Sequence, residues 1–195
     1  MARARLRVVA GRAGGRRLVA PRGIRPTAER VREALFASLG DAVVDVAVLD
    51  LYAGSGALAV EALSRRAAVA VLVDEDRAAI AACRRNLEST GLRARARLHA
   101  AAVERFVAGP PPAEAPFDLV LCDPPYERAG DLAAVLGALR APGWLAPAAR
   151  VVLETAASAE LPPPAGYGVQ SRRRYGDTLL TTVTTVGPVP NARDA

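Results

Sequence analysis

From Val46 to Thr155 the chain alternates short apolar runs with longer stretches of helical periodicity, and no other feature constrains its fold as strongly. Runs at 46–51 (VAVLDL), 69–74 (VAVLVD), 95–99 (RARLH), 117–122 (FDLVLC) and 150–155 (RVVLET) predict strands. All but the third are nearly continuous in apolar residues, the mark of strands covered on both faces. Helical stretches at 56–65, 76–90, 102–108 and 130–140 separate them. Repeated strand–helix units imply an α/β fold with a parallel, doubly wound sheet and right-handed crossovers. The tail breaks the pattern: 166–175 and 178–186 predict an antiparallel hairpin that turns at Gly176-Asp177.

The front of the chain is different in kind. Residues 5–20 (RLRVVAGRAGGRRLVA) read as two short strands around a glycine-rich turn. Arg25-Pro26-Thr27 then opens a helix, with Thr27 as N-cap, Val31, Leu35, Phe36 and Leu39 at helical spacing, and Gly40 as its end. We expect a basic extension over 1–40, a larger α/β domain over 41–186 and a flexible tail over 187–195.

Charge separates the same two regions. Residues 1–32 hold ten Arg and one acid, Glu29, while the remaining 163 hold 16 Arg and 19 acids. The net charges are therefore +9 and −3, a basic arm on a near-neutral body, as a polyanionic partner requires. The absence of Lys reflects compositional bias, but bias does not explain why acids avoid the front segment. Arg5, Arg7, Arg12, Arg16, Arg17, Arg22, Arg25 and Arg30, with Thr27, are the candidate nucleic-acid contacts. No run of 18 apolar residues predicts a membrane span, and no apolar stretch follows the basic start to make a signal peptide. Cys83 and Cys122 read as free thiols of a cytoplasmic protein, with no metal-ligand spacing.

Three motifs carry chemistry. Asp50-Leu51-Tyr52-Ala53-Gly54-Ser55-Gly56 follows the first strand, where open α/β sheets bind ligands. Gly54 and Gly56 permit a tight turn and close backbone approach, and the helix beyond them offers free N–H groups. Gly54-x-Gly56-x-x-Ala59 also satisfies a relaxed dinucleotide fingerprint, so a nicotinamide or flavin cofactor stays in view. Asp50 favours S-adenosylmethionine, because an acid there suits its cationic amino-acid end and repels a pyrophosphate. At the end of the second strand, Asp74 is the first choice for ribose hydroxyls, Glu75 the alternative and Asp76 a helix N-cap; solvated turn acids are the bland reading.

Asp123-Pro124-Pro125-Tyr126 directly follows the fourth strand. Two prolines fix the backbone and remove its donors, leaving carbonyls as acceptors. An exocyclic base amine has two N–H bonds and a lone pair delocalised into the ring. The Asp123 carboxylate and the Pro124 carbonyl can accept both N–H bonds and free the lone pair for a methyl held in line. The Tyr126 ring offers a stacking face for an extruded base. Turn chemistry alone would also use Asp-Pro-Pro, but not at this place in the strand order. His99 and Trp144 read as structural residues.

Taken in order, RVVAGRAGGRRL (7–18), RPTAERVREALF (25–36), VLDLYAGSGALAVEALSR (48–65), FDLVLCDPPY (117–126) and RRYGDTLL (173–180) resemble the bacterial 16S ribosomal RNA guanine-N2 methyltransferases. The resemblance spans about 5–186 and implies a Rossmann-like class I methyltransferase fold. It further implies S-adenosylmethionine held by Asp50, Tyr52, Ala53, Gly54, Ser55, Gly56, Asp74 and Glu75. Asp123 to Tyr126 would be the catalytic motif, and Arg25 and Thr27 would lie in the approach to it. The implied substrate is 16S ribosomal RNA, within the small subunit or an assembly intermediate, and the implied state is a monomer. Two departures stand out: His99-Ala100-Ala101-Ala102 offers no acid or amide for the adenine, and Tyr52 replaces an expected Phe. A DNA adenine or cytosine methyltransferase and a non-catalytic RNA-binding protein on this fold are the competing readings.

Overall fold

The computed structural model describes residues 6–21, 29–159 and 165–186. Seven strands form one sheet in the order β3-β2-β1-β4-β5-β7-β6. They are β1 (Ala47–Leu51), β2 (Val69–Asp74), β3 (Ala96–Ala100), β4 (Phe117–Cys122), β5 (Leu145–Ala156), β6 (Tyr167–Tyr175) and β7 (Thr178–Thr185). The first five pair in parallel and the last two antiparallel. Helices α1 (Glu29–Leu39), α2 (Ala57–Ser64), α3 (Arg77–Thr90), α4 (Val103–Val107) and α5 (Leu132–Ala138) complete the architecture.

The apolar runs become central strands because alternate residues serve opposite faces. Val48, Ala70, Leu72, Leu119 and Leu121 pack with α1, α2 and α3 on one face. Leu49, Leu51, Val71, Val73 and Val120 pack with α4 and α5 on the other, around Trp144. Trp144 meets Phe106 edge-on at 5.5 Å, and His99 lies 4.9 Å from Phe106, so both rings pack in this layer. Cys83 and Cys122 are buried free thiols. Asp76 caps α3 by accepting the Ala78 N–H at 2.8 Å. Among the described residues no helix is long and apolar enough to cross a membrane.

One expectation needs correction. β5 starts at Leu145, five residues before the predicted start, and joins β4 through an irregularity between Phe117 and Leu119. Pro147 and the left-handed Ala148 hide that extension from a strand pattern. The front segment pairs with itself in antiparallel fashion as expected, but over a short stretch: the Arg7–Arg17 bridge is flanked by the Leu18 N–H donating to the Leu6 carbonyl at 2.8 Å and the Val8 N–H donating to the Arg16 carbonyl at 2.9 Å. The N–H groups of Val9, Ala10, Ala13 and Val19 are taken by side chains of the body, as described below. The expected cap Thr27 falls within 22–28, outside the described residues, where the expected contacts Arg22 and Arg25 also lie. Arg5 and the tail 187–195 lie outside them too.

Candidate active site

The connection from β1 leads through β2 and β3 on one side before the chain crosses to β4 on the other. Ligands of open α/β sheets bind at such a reversal, beyond the carboxyl ends of the strands. β1 and β4 are in register through Leu51 and Cys122, so the Tyr52–Gly56 loop and Asp123-Pro124-Pro125 leave the sheet side by side. The Asp123 N–H donates to the Leu51 carbonyl at 3.4 Å. Asp123 is half-buried, Pro124 buried and Pro125 exposed.

Three residues of the loop after β1 are left-handed: Tyr52, Gly54 and Gly56, with φ of 59°, 55° and 71°. At Gly56 a side chain is barred by space as well as by φ. A Cβ there would sit 2.9 Å from Leu72 Cδ2 and 3.0 Å from Cys83 Sγ. Tyr52 adopts this conformation without being glycine, a local strain of the kind concentrated at functional sites. Its hydroxyl donates to Glu104 at 2.6 Å, and burial followed by that bond pushes its pKa above the ordinary range.

Asp50 lies beneath this loop at 1% exposure. Its Oδ2 accepts the Ala59 N–H at 3.1 Å, while its Oδ1 is buried with no hydrogen-bond partner. Burial holds the carboxyl well above the usual range; the Ala59 N–H opposes this, and the charges of Asp123 and Asp74 reinforce it. A buried acid left half-satisfied is costly, and a cation at the loop would relieve it. That orphaned oxygen, with the glycine cradle above it, fits a ligand with an ammonium group.

Asp74 and Glu75 occupy the neighbouring strand end in different ways. Asp74 accepts the Gly54 N–H at 2.8 Å and the Asp76 N–H at 2.9 Å, so it braces the glycine loop. Glu75 is exposed and pairs with Arg128 at 2.7 Å. Arg128 was not singled out by any sequence signal. It stands in the 3-10 helix Tyr126–Asp131, donates also to Glu104 at 2.9 Å and Asp131 at 3.3 Å, and lies 5.8 Å from the Tyr52 ring centre. It thereby ties the segment after the double proline to β2 and α4. The Tyr126 side chain, expected to stack on a base, lies outside the described part of the structure. No cluster of three or more His, Cys, Asp or Glu suited to a metal occurs among the described residues.

Residues 6–184 match the family described as conserved hypothetical protein 95. The chain belongs to that family. It is 38% identical over 174 residues to the ribosomal RNA small subunit methyltransferase D of Escherichia coli K12, covering 88% of this chain and 85% of that one. A putative rRNA methyltransferase of Bacillus subtilis is 34% identical over 89% of this chain and 95% of its own. Among solved structures, a putative methyltransferase from Escherichia coli superposes with a TM-score of 0.81 at 35% identity, over 93% of this chain and 98% of that one. The seven-stranded sheet with its terminal antiparallel hairpin is accordingly the Rossmann-like fold of class I methyltransferases.

In this family member the basic front segment is fastened to the helices that flank the glycine loop. Leu6, Val8, Ala13 and Leu18 share one apolar cluster with α1, α2 and α3. Glu61 of α2, fully buried, accepts the N–H groups of Val9 at 2.7 Å and Ala10 at 3.0 Å. Ser64 accepts the Ala13 N–H at 2.9 Å. Asn86 of α3 bonds both the N–H and the carbonyl of Val19, and donates as well to the Ser55 carbonyl of the glycine loop. Arg32 of α1, also fully buried, donates to the Arg7 carbonyl and faces Glu61 at 3.7 Å. Of these residues only Glu61 left a trace in the sequence, as one acid inside the otherwise apolar run ALAVEALS. The candidate contacts Arg12, Arg16, Arg17 and Arg30 are exposed, although Arg16 donates to the Ser89 carbonyl at 2.5 Å. Arg7 is exposed and paired with Glu29 at 2.7 Å.

Proposed function

We propose that this protein transfers a methyl group from S-adenosylmethionine to the exocyclic N2 amine of a guanine in 16S ribosomal RNA of the small ribosomal subunit. The single observation that carries the reading is the pairing of β1 with β4. It sets Asp123-Pro124-Pro125 beside a left-handed glycine loop with a buried, half-satisfied acid beneath it. Membership of a family with rRNA methyltransferase relatives supports ribosomal RNA as the substrate.

S-adenosylmethionine supplies an electrophilic methyl carried on a sulfonium. Gly54, Ser55 and Gly56 bring backbone close to it, with Tyr52 and Ala53 shaping the turn, and Asp50 answers its ammonium. Asp74 or Glu75 takes the ribose hydroxyls; Asp74 already braces Gly54, and Glu75 must share with Arg128. The Asp123 carboxylate and the Pro124 carbonyl accept the two amine N–H bonds and turn the lone pair outward, and Asp123 is the acceptor for the proton released. Tyr126 stacks on the flipped base. The exposed arginines of the front segment hold phosphates, which position the RNA without reading its sequence. The protein acts as a cytoplasmic monomer, on the small subunit or an assembly intermediate.

The test offers methyl-labelled S-adenosylmethionine with undermethylated small subunits, free ribosomal RNA and duplex DNA. Label is expected in N2-methylguanosine. Label confined to DNA overturns the substrate, and label nowhere leaves a non-catalytic RNA-binding protein. Asp123→Ala should lower transfer by at least about a thousandfold, a loss on the scale of removing a key transition-state contact, with cofactor affinity retained. A parallel loss of cofactor binding would mean that Asp123 holds the cofactor rather than the amine.

A further inference from the structure

The arginine run at 172–174 lies in the edge strand β6, far in sequence from the basic front segment. All three residues are exposed. Register across the sheet fixes their level. Cys122 of β4 faces Leu153 of β5, Leu153 faces Thr181 of β7, and Thr181 faces Arg172. One step further, Glu154 faces Leu180 and Leu180 faces Arg173; the next step brings Thr155, Leu179 and Arg174. Asp123 and Pro124 continue β4 at the levels of Arg173 and Arg174. Three interstrand spacings of about 4.8 Å put the run about 14 Å from the double-proline motif. It therefore stands along the same carboxyl edge of the sheet.

Leu180, opposite Arg173, belongs to the apolar cluster that includes α1 and the front segment. Arg173 accordingly lies on the face of the sheet that carries the basic segment, beside a shallow cleft formed by Ala34, Leu35 and Ser38 of α1 with Tyr175 and Thr182. Blunting an open sheet edge is the ordinary role of charge on such a strand. The distribution argues otherwise. The other half of β6, Tyr167–Ser171, carries no charge and leaves Val169 exposed at 40%. All the charge is at the half level with the active site. β7 contributes no charge either, and Asp177 in the turn is the one acid between Tyr167 and Thr185.

We propose that Arg173 and Arg174, on opposite faces of the edge strand, straddle the sheet edge and form a second RNA-backbone contact, which grips the strand that flanks the target nucleotide on the side of the active site away from β3. The inference rests on the RNA substrate proposed above. Arg174 spends one N–H on the Gly176 carbonyl at 2.9 Å, which holds the guanidinium at the turn and leaves further donors for a phosphate.

The experiment measures affinity for a small-subunit ribosomal RNA transcript between 50 and 200 mM salt, with cofactor affinity, kcat and KM alongside. Arg173→Ala/Arg174→Ala should flatten the slope of log affinity against log salt by about two. Its affinity deficit should then be roughly tenfold larger at 50 mM than at 200 mM. KM for RNA should rise, with kcat and cofactor affinity near those of the parent. Arg173→Lys/Arg174→Lys keeps the charges and should keep the slope. Arg66→Ala, exposed at the amino end of β2, is the control and should keep it as well. An alanine variant with the parent's slope, or a lysine variant as impaired as the alanine one, overturns the proposal while leaving the methyl-transfer reading intact. A parent protein that neither binds nor methylates ribosomal RNA overturns both.

Discussion

Asp50 and Glu61 are buried acids of one strand–loop–helix unit, and the protein treats them in opposite ways. Glu61 accepts two backbone N–H groups from the front segment, takes the Arg65 guanidinium at 2.7 Å and has Arg32 at 3.7 Å. Asp50 accepts one N–H and keeps one buried oxygen unpartnered. A fully answered buried acid makes a rigid clamp. A half-answered one stores unfavourable energy that a ligand of opposite charge can release. The first acid joins the basic segment to the body; the second keeps the glycine loop ready for a cation.

The largest effect expected from this contrast is on stability. Glu61→Ala would leave the Arg32 guanidinium buried without its counter-charge, which already feels burial lowering its pKa. Breaking a buried pair from one side costs about 3–5 kcal/mol, a fall in Tm of about 10 °C for a chain of this size. Adding Arg32→Met should recover part of the loss, because the stranded charge is then gone. Calorimetry checks both variants. A fall of less than about 2 °C for Glu61→Ala would remove Glu61 as the clamp.

Asp50→Asn should act in the opposite direction. The folded-state pKa of Asp50 is raised by burial, so the fold binds its proton more tightly than the unfolded chain does. This group's contribution is therefore most favourable at acid pH and becomes a penalty as pH rises above the ordinary carboxylate range. Asparagine removes that penalty, so the cofactor-free variant should melt about 2–4 °C higher at neutral pH, a gain of about 1 kcal/mol. The difference should shrink as pH falls toward 4, the ordinary carboxylate range. Affinity for S-adenosylmethionine should drop over the same substitution. A variant that melts lower at neutral pH, or binds the cofactor as the parent does, would erase the distinction between the two acids.

The contrast also separates what the sequence discloses from what it conceals. Burial on both faces prints itself as the runs VAVLDL, VAVLVD and FDLVLC, so the strands and the loops at their carboxyl ends were legible. Asp50, Gly54, Gly56 and Asp123 could be singled out because each stands in or close behind such a run. Glu61, Asn86 and Arg32 act across distance: Glu61 meets Val9 from 52 residues away and Asn86 meets Val19 from 67. No local pattern encodes those partners. The hairpin itself was legible because its turn is local, but its attachment to the body was not: the N–H groups of Val9, Ala10 and Ala13 find their acceptors on α2. Arg128 was hidden differently, since its acceptors Glu75 and Glu104 belong to separate strand–helix units.

The smallest effects should distinguish the arginines of the front segment from one another. Arg7 is exposed and already engaged by Glu29, whose carboxyl is held below its usual range first by that hydrogen bond. An exposed pair contributes little to stability, so Arg7→Ala should leave Tm unchanged within error. Its guanidinium must leave Glu29 to reach a phosphate, whereas Arg12 is exposed on the turn that the Glu61 and Ser64 clamps hold in place and Arg17 is exposed on the returning arm opposite Arg7. Arg12→Ala/Arg17→Ala should therefore flatten the salt dependence of RNA binding by about two, and Arg7→Ala by less than one. Should Arg7→Ala flatten it as much per residue as Arg12→Ala/Arg17→Ala does, the Glu29 pair is no barrier to phosphate binding.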